Sequence, residues 1–155
     1  MPAKKLILSN SGDSVRVAET LIGKGVFAAR SFPAGSVIGE ITGDLVTDDS
    51  RDPSYTFEMD DRTQLDPHTP FRFLNHRCEP NCEFDSFEES GPHGGFAPLY
   101  LIALCDIQAG EELTIDYNWP ANHAIPCYCT AAACRGWIVS LDELNLLRKK
   151  RTRIR

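Results

Sequence analysis

The sequence predicts a mostly β domain, α+β in class, in which short strands end in one short C-terminal helix, and three observations carry that reading. Runs rich in β-branched and aromatic residues recur at 14–18, 36–40, 99–104 and 112–117. Gly and Pro punctuate the chain between them. Helical spacing is clear only near the end, where Leu141, Leu144 and Leu147 fall at i, i+3 and i+6.

Taken in order, residues 14–18 carry the β-branched Val15 and Val17 of a first strand. Gly23 and Gly25 flank Lys24 in a turn where missing side chains let backbone groups approach a ligand closely. The run 36–40 forms the next strand. Residues 47–70 turn acidic and polar with three prolines, and 88–98 are rich in Gly and Pro, so both read as loops. The run 99–104 is almost wholly apolar, as a buried strand requires, and 112–117 is the last strand. Ser140 is placed to cap the helix 141–147, with Glu143 at the capping-box position. The basic run 148–155 is expected to fray, because like charges at this density repel and bury nothing.

A length of 155 residues fits one domain with a single core, and no second domain is expected. The apolar stretches fall far short of the roughly 20 residues of a membrane span, and no signal-peptide core is present, so a soluble intracellular protein is expected. The net charge of -6 hides an asymmetry: six of sixteen Lys and Arg lie in 148–155, leaving ten against twenty-two acids elsewhere. An acidic body suits a basic partner and argues against a surface for duplex nucleic acid. Acidity kept only for solubility explains the charge equally well.

Six cysteines in an intracellular chain point to metal ligands or buried thiols. Cys127, Cys129 and Cys134 form C-x-C-x4-C, a thiolate triplet suited to zinc, which takes four tetrahedral ligands. The spacing leaves the fourth ligand open among Cys78, Cys82, Cys105 and the histidines. Cys105 is read in the apolar strand and Cys82 as a structural thiol.

The segment from Arg72 to Cys82, R-F-L-N-H-R-C-E-P-N-C, resembles the R-F-x-N-H-x-C-x-P-N motif of SET-domain lysine methyltransferases. Four further pieces stand in the family's order: G-K-G-V-F from Gly23, G-E-I-T-G from Gly39, G-E-E-L-T-I-D-Y from Gly110, and the C-x-C-x4-C of a post-SET segment. The resemblance implies a β-clip of short sheets with a pseudoknot, a SET domain over 1–120, a post-SET zinc segment over 121–139, and a helix with basic tail over 140–155. It also implies that Cys78 joins Cys127, Cys129 and Cys134 around one structural zinc ion.

The implied activity is methyl transfer from S-adenosylmethionine to a protein lysine, on a basic partner such as a histone tail. Alternatives are a non-histone protein as substrate, or a silent SET module that binds a peptide or chromatin. Direct nucleic-acid binding is expected at most weakly, through the basic tail. The location implied is nuclear chromatin in a eukaryote and the cytoplasm otherwise.

Tyr117 resembles the family's catalytic tyrosine, although a lone Tyr at a strand end is more often packing. Gly23, Lys24, Gly25, Asn75, His76 and Tyr117 are implied cofactor contacts. Arg72 is placed with them, its alternative being a structural ion pair. Tyr55 and Phe57 resemble a Y-x-F segment in which Tyr meets the cofactor and Phe lines the lysine channel. Trp137 is placed with the cofactor contacts, closing the channel or the cofactor pocket, its alternative being packing on the zinc loop. Ile41 and Ile115 stand where relatives carry aromatics and are assigned to the channel, Ile115 leaving room for higher methylation states. The segment between Phe57 and Arg72 is shorter than the insertion that shapes the family's peptide groove.

Overall fold

The computed structural model describes residues 11–48, 52, 54–87 and 95–151. A short helical turn, α1 (Ser11–Ser14), precedes strands β1 (Val15–Thr20), β2 (Gly23–Ala28), β3 (Val37–Ile41), β4 (Gly43–Val46), β5 (Phe57–Glu58) and β6 (Gln64–Pro67). Then follow β7 (Asn75–His76), β8 (Cys82–Asp85), β9 (Leu99–Ala103), β10 (Glu112–Ile115), β11 (Ile125–Pro126), β12 (Trp137–Ile138) and helix α2 (Leu144–Arg151). No helix among the described residues is long and apolar enough to cross a membrane.

The site rests on one four-stranded sheet ordered β1-β2-β10-β7. β1 and β2 form a hairpin in continuous register from Val15↔Ala28 to Thr20↔Gly23. Its turn closes through Thr20, whose hydroxyl donates to the Gly23 carbonyl at 2.8 Å and accepts from the Ile22 N–H at 3.2 Å. Gly23 has φ +114°, a value that β-carbon crowding makes costly for other residues.

β10 then joins β2 antiparallel through Leu113↔Val26 and joins β7 in parallel through Thr114↔Asn75 and Ile115↔His76. Asn81 prolongs the pairing: its amide donates to the Glu112 carbonyl at 2.8 Å and accepts from the Thr114 N–H at 2.9 Å. An amide side chain thus serves β10 as a backbone peptide would, which keeps the polar groups of a buried strand satisfied.

Two three-stranded sheets, β3-β9-β8 and β4-β6-β5, pack beside it, and β11-β12 form a two-stranded ribbon near the cysteines. The core gathers Val26, Ile38, Leu101, Ile107 and Leu113, all fully buried, each contributing about 1.5–3 kcal/mol by leaving water.

The mostly β fold expected from the sequence is present, with differences that have physical causes. The 47–70 segment is not all loop: β5 and β6 lie in it, and Gly43 on β4 lets the backbones close, since a Cβ there would lie 2.3 Å from the Asp66 carbonyl oxygen. Cys105 lies beyond the end of β9 and is exposed. The C-terminal helix starts as a 3-10 turn, Leu141–Glu143, without a side-chain cap from Ser140. The Ser140 N–H donates instead to the Trp119 carbonyl, and the Glu143 carboxylate accepts from the Ala121 N–H at 2.6 Å. Tertiary partners have displaced the local capping box. α2 continues to Arg151, so the first half of the basic run is helical; 152–155, like 88–94, lie outside the described residues.

Candidate active site and metal centre

Tyr117 follows β10, and its position is held from both ends. Its backbone N–H donates to His76 Nδ1 at 3.2 Å, and its hydroxyl donates to the Leu74 carbonyl at 2.7 Å. The ring stacks on Trp119, with centroids 5.3 Å apart and planes inclined by 30°. Burial, helped by the neighbouring Tyr55 and Glu112, pushes the phenol from 10 up to about 12. His76 is buried, and that burial lowers its pKa below 6.5, against Asp116 nearby. With Nδ1 accepting from Tyr117, its Nε2 carries the hydrogen and faces Cys78 Sγ at 3.4 Å.

Tyr117 forms one wall of a cavity of about 510 Å³ that is mostly apolar. Tyr55, Phe57, Arg72 and Ile115, all expected at the site, line it too. Arg72 pairs with Asp66 and lies 4.5 Å from the centre of the Tyr55 ring, which fixes that ring by cation–π attraction. Phe57 meets Phe84 edge to face at 4.8 Å. Asp52 and Glu58 are also on the lining.

The remaining expected cofactor residues gather along the adjoining strands β2, β7 and β10. Asn75 Nδ2 donates to the Lys24 carbonyl at 3.1 Å and to Glu112 Oε1 at 2.8 Å. A Cβ on Gly25 would lie 2.5 Å from Glu112 Oε1, 2.9 Å from Thr20 Cγ2 and 3.2 Å from Asn75 Nδ2. The missing side chain of buried Gly25 lets that amide and carboxylate close on the strand, so that Gly23 and Lys24, both exposed, and Asn75 offer polar groups a cofactor could meet.

Ile41 and Trp137 stand apart from both the cavity lining and these three strands. Ile41 is buried in the core, and Trp137 is half-buried on β12 opposite Pro126. Trp119 and Phe84 line the cavity without having been singled out from the sequence. Trp119 had one legible signal, its place in the Asp116-Tyr117-Asn118-Trp119-Pro120 string, where Asn118 at φ +50° turns the chain sharply.

The cysteines converge as expected: ligand atoms of Cys78, Cys127, Cys129 and Cys134 all lie within 4.8 Å of one another. Zinc at about 2.3 Å from four sulfurs sets them about 3.8 Å apart. Cys78 Sγ is 3.8 Å from Cys127 Sγ and 4.0 Å from Cys134 Sγ, so the residues fit that ion. Backbone N–H groups already point at the sulfurs, from Cys78 to Cys129 at 3.4 Å, from Arg135 to Cys78 at 3.5 Å and from Gly136 to Cys134 at 3.4 Å. Burial pushes the Cys78 and Cys127 thiols up. At Cys129 burial acts the same way, but N–H groups of Cys78 and Ala131 outweigh it and bring the thiol down to about 6. A bound divalent ion would ionise all four. Cys82 is buried and its thiol is raised to about 12 by that burial.

The SET domain family model matches residues 23–118. The human protein named histone-lysine N-methyltransferase 2B is 34% identical over 83% of this chain and 5% of its own length. The H3 lysine-4 specific histone-lysine N-methyltransferase of Emericella nidulans is 31% identical, over 80% of this chain and 12% of that protein. Among solved structures, KRYPTONITE in complex with mCHG DNA and SAH superposes with a TM-score of 0.69 at 28% identity, covering 80% of this chain and 28% of that one. The chain thus spans only a small part of the proteins it resembles. With Arg72, Ile115 and Tyr117 on one cavity, Cys78 drawn to Cys127, Cys129 and Cys134, and the family model covering more than half of the chain, the chain belongs to the SET domain family.

Proposed function

We propose that the chain is an S-adenosylmethionine-dependent protein-lysine N-methyltransferase acting on a basic tail, that of a histone foremost, with Tyr117 as its catalytic residue. The observation that carries the reading is the Tyr117 hydroxyl, fixed on the Leu74 carbonyl in the wall of a mostly apolar cavity. Relatives named as histone-lysine methyltransferases, and a solved relative described with an H3(1-15) peptide and SAH, support the choice of substrate and cosubstrate.

S-adenosylmethionine supplies a methyl group already activated on a positive sulfur, so the protein's task is alignment. Gly23, Lys24 and Gly25 on β2, with Asn75 and His76 on β7, would hold the cosubstrate. The incoming lysine must be a neutral amine, and burial among Phe57, Leu74, Ile115 and Trp119 disfavours its charged form. Burial pushes the Tyr117 phenol up to about 12 and its one proton is committed to the Leu74 carbonyl, so its role is to orient the amine. Both His76 nitrogens are engaged, which excludes it as the base. Asp52 and Glu58 attract the positive side chains of the tail. Ile115 leaves the space a larger side chain would fill. Cys78, Cys127, Cys129 and Cys134 hold one zinc ion, which supplies folding energy to the post-SET segment and takes no part in the chemistry. With histones as substrate, the working location is nuclear chromatin.

The test is methyl transfer from radiolabelled S-adenosylmethionine to core histones and to a mixed protein extract, with wild type beside Tyr117→Phe. Label on a histone band that falls at least about a hundredfold in the variant supports the reading, since a small misplacement of the reacting group can cost that much. Label confined to another protein overturns the histone assignment. No label with S-adenosylmethionine bound overturns the activity.

A further inference from the structure

Arg135 directly follows Cys134, and its side chain stays beside Cys78 while its guanidinium reaches Asp116, just past the end of β10. Its Nη1 lies 2.7 Å from Asp116 Oδ2 and its Nη2 lies 2.8 Å from Asp116 Oδ1, a two-pronged pair. The side chains are 9% and 20% exposed, so solvent screens the pair little. Arg135 Nε is buried and has no hydrogen-bond partner among the described residues. A charged group is buried this way only where its geometry is tightly determined.

Asp116 immediately precedes Tyr117 and engages the chain on both sides of it. Asp116 Oδ1 accepts from the Asn118 N–H at 3.1 Å and lies 3.6 Å from His76 Nδ1, the atom that accepts from the Tyr117 N–H. The other His76 nitrogen meets Cys78 Sγ at 3.4 Å, and the Arg135 N–H donates to that same sulfur. The contacts close a ring: Cys78, His76, the backbone at Asp116 and Tyr117, Arg135, and Cys78 again. The cysteine cluster and the tyrosine therefore share one continuous framework of contacts.

We propose that Arg135 and Asp116 are positioning residues, a latch that fastens the metal-binding loop to the backbone of Tyr117 and makes occupancy of the cysteine cluster set the aim of the tyrosine hydroxyl. The proposal rests on the methyltransferase reading for its kinetic consequence and on the ring of contacts for its effect on the metal. Mutating the partners that orient metal ligands weakens metal binding or activity by about 10- to 100-fold. A bidentate guanidinium pair also tolerates no exchange for lysine, which keeps the charge but loses the fork.

The experiment uses the zinc-loaded chain as wild type, Arg135→Gln, Arg135→Lys, Asp116→Asn and the double variant Asp116→Asn/Arg135→Gln. Zinc transfer to a coloured chelator is followed beside kcat and KM for a histone peptide. The expected result is zinc release at least about tenfold faster in each variant, and kcat lower by about 10- to 100-fold with peptide KM little changed. The double variant should be no worse than either single, because one interaction is lost once. Effects that multiply in the double variant overturn the latch, as does a loss of melting temperature that leaves kcat and zinc release untouched. Should Arg135→Gln not fold, Arg135→Lys gives the same two readouts. A wild type without methyl transfer refutes the enzyme alone, since zinc release still decides the latch.

Discussion

Tyr117 and Leu74, 43 residues apart in sequence, are joined by a 2.7 Å hydrogen bond from the tyrosine hydroxyl to the leucine carbonyl. The bond spends the only proton of the hydroxyl and leaves its lone pairs as acceptors. An amine entering the cavity thus meets an acceptor, which suits holding its remaining hydrogens in place while the nitrogen lone pair is directed elsewhere.

At subsaturating peptide, methyl transfer should rise steadily from pH 7 to pH 10, following loss of the proton from the free substrate lysine near 10.4. Tyr117, protonated up to about 12, imposes no decline in that range. A profile of initial rates that turns down below about pH 9 would contradict an orienting role. The same shift affects stability. An acid with its folded pKa raised from 10 to about 12 stabilises fully below 10, and that stability is lost as pH climbs between the two values. Urea midpoints of Tyr117→Phe should lack this part of the alkaline fall.

Gly25→Ala should weaken S-adenosylmethionine binding by about tenfold or more in titration calorimetry, equivalent to about 1.4 kcal/mol. The added methyl would sit 2.5 Å from Glu112 Oε1, and the carboxylate cannot retreat without breaking its 2.8 Å bond to Asn75. Stability should fall by about 1–3 kcal/mol, as overpacking generally costs. Binding equal to wild type would remove the Gly23–Gly25 turn from the cofactor site.

Native mass spectrometry should find one zinc ion per chain, lost on chelation and absent from Cys78→Ser. Iodoacetamide on the loaded protein should modify Cys105, which is exposed, and spare Cys82, which is buried with its thiol raised to about 12. Chelation should open the four ligand cysteines to the reagent while leaving Cys82 protected. Modification of Cys82 before Cys105 would contradict the packing of β8 against β9.

Ile115 lines the cavity two residues before Tyr117, and its aliphatic side chain offers no hydroxyl to hold a water against the amine. Product analysis by mass spectrometry should show di- or trimethyl-lysine with wild type and a shift towards monomethyl-lysine with Ile115→Tyr. A strict stop at monomethyl-lysine in the wild type would refute this.

The sequence carried the strands that repeat a simple pattern and the residues that sit inside fixed motifs. Residues 99–104 announced β9 by apolarity, and the cysteine spacing announced a metal cluster whose fourth member, Cys78, came from the family likeness. β2 was passed over as a turn because its two glycines mask a strand whose partners are β1 and β10. β5 and β6 were hidden among acids and prolines, since their stability comes from pairing with one another and β4 and not from their own propensities. The capping box at Ser140 failed because Trp119 and Ala121, distant in sequence, took its groups. The Arg135–Asp116 pair was illegible for the same reason: its significance lies in what it touches.

β10 lies between β2 and β7, so the central strand of the site sheet is among the last to be made. A growing chain has its β1–β2 hairpin long before Leu113 exists to pair with Val26, and until then β2 presents an unpaired, partly apolar edge. Pairings between such distant residues make folding slow, and the waiting edge is open to wrong partners. The interlock that holds Tyr117 in the finished protein is therefore also where the nascent chain is most exposed to misassembly.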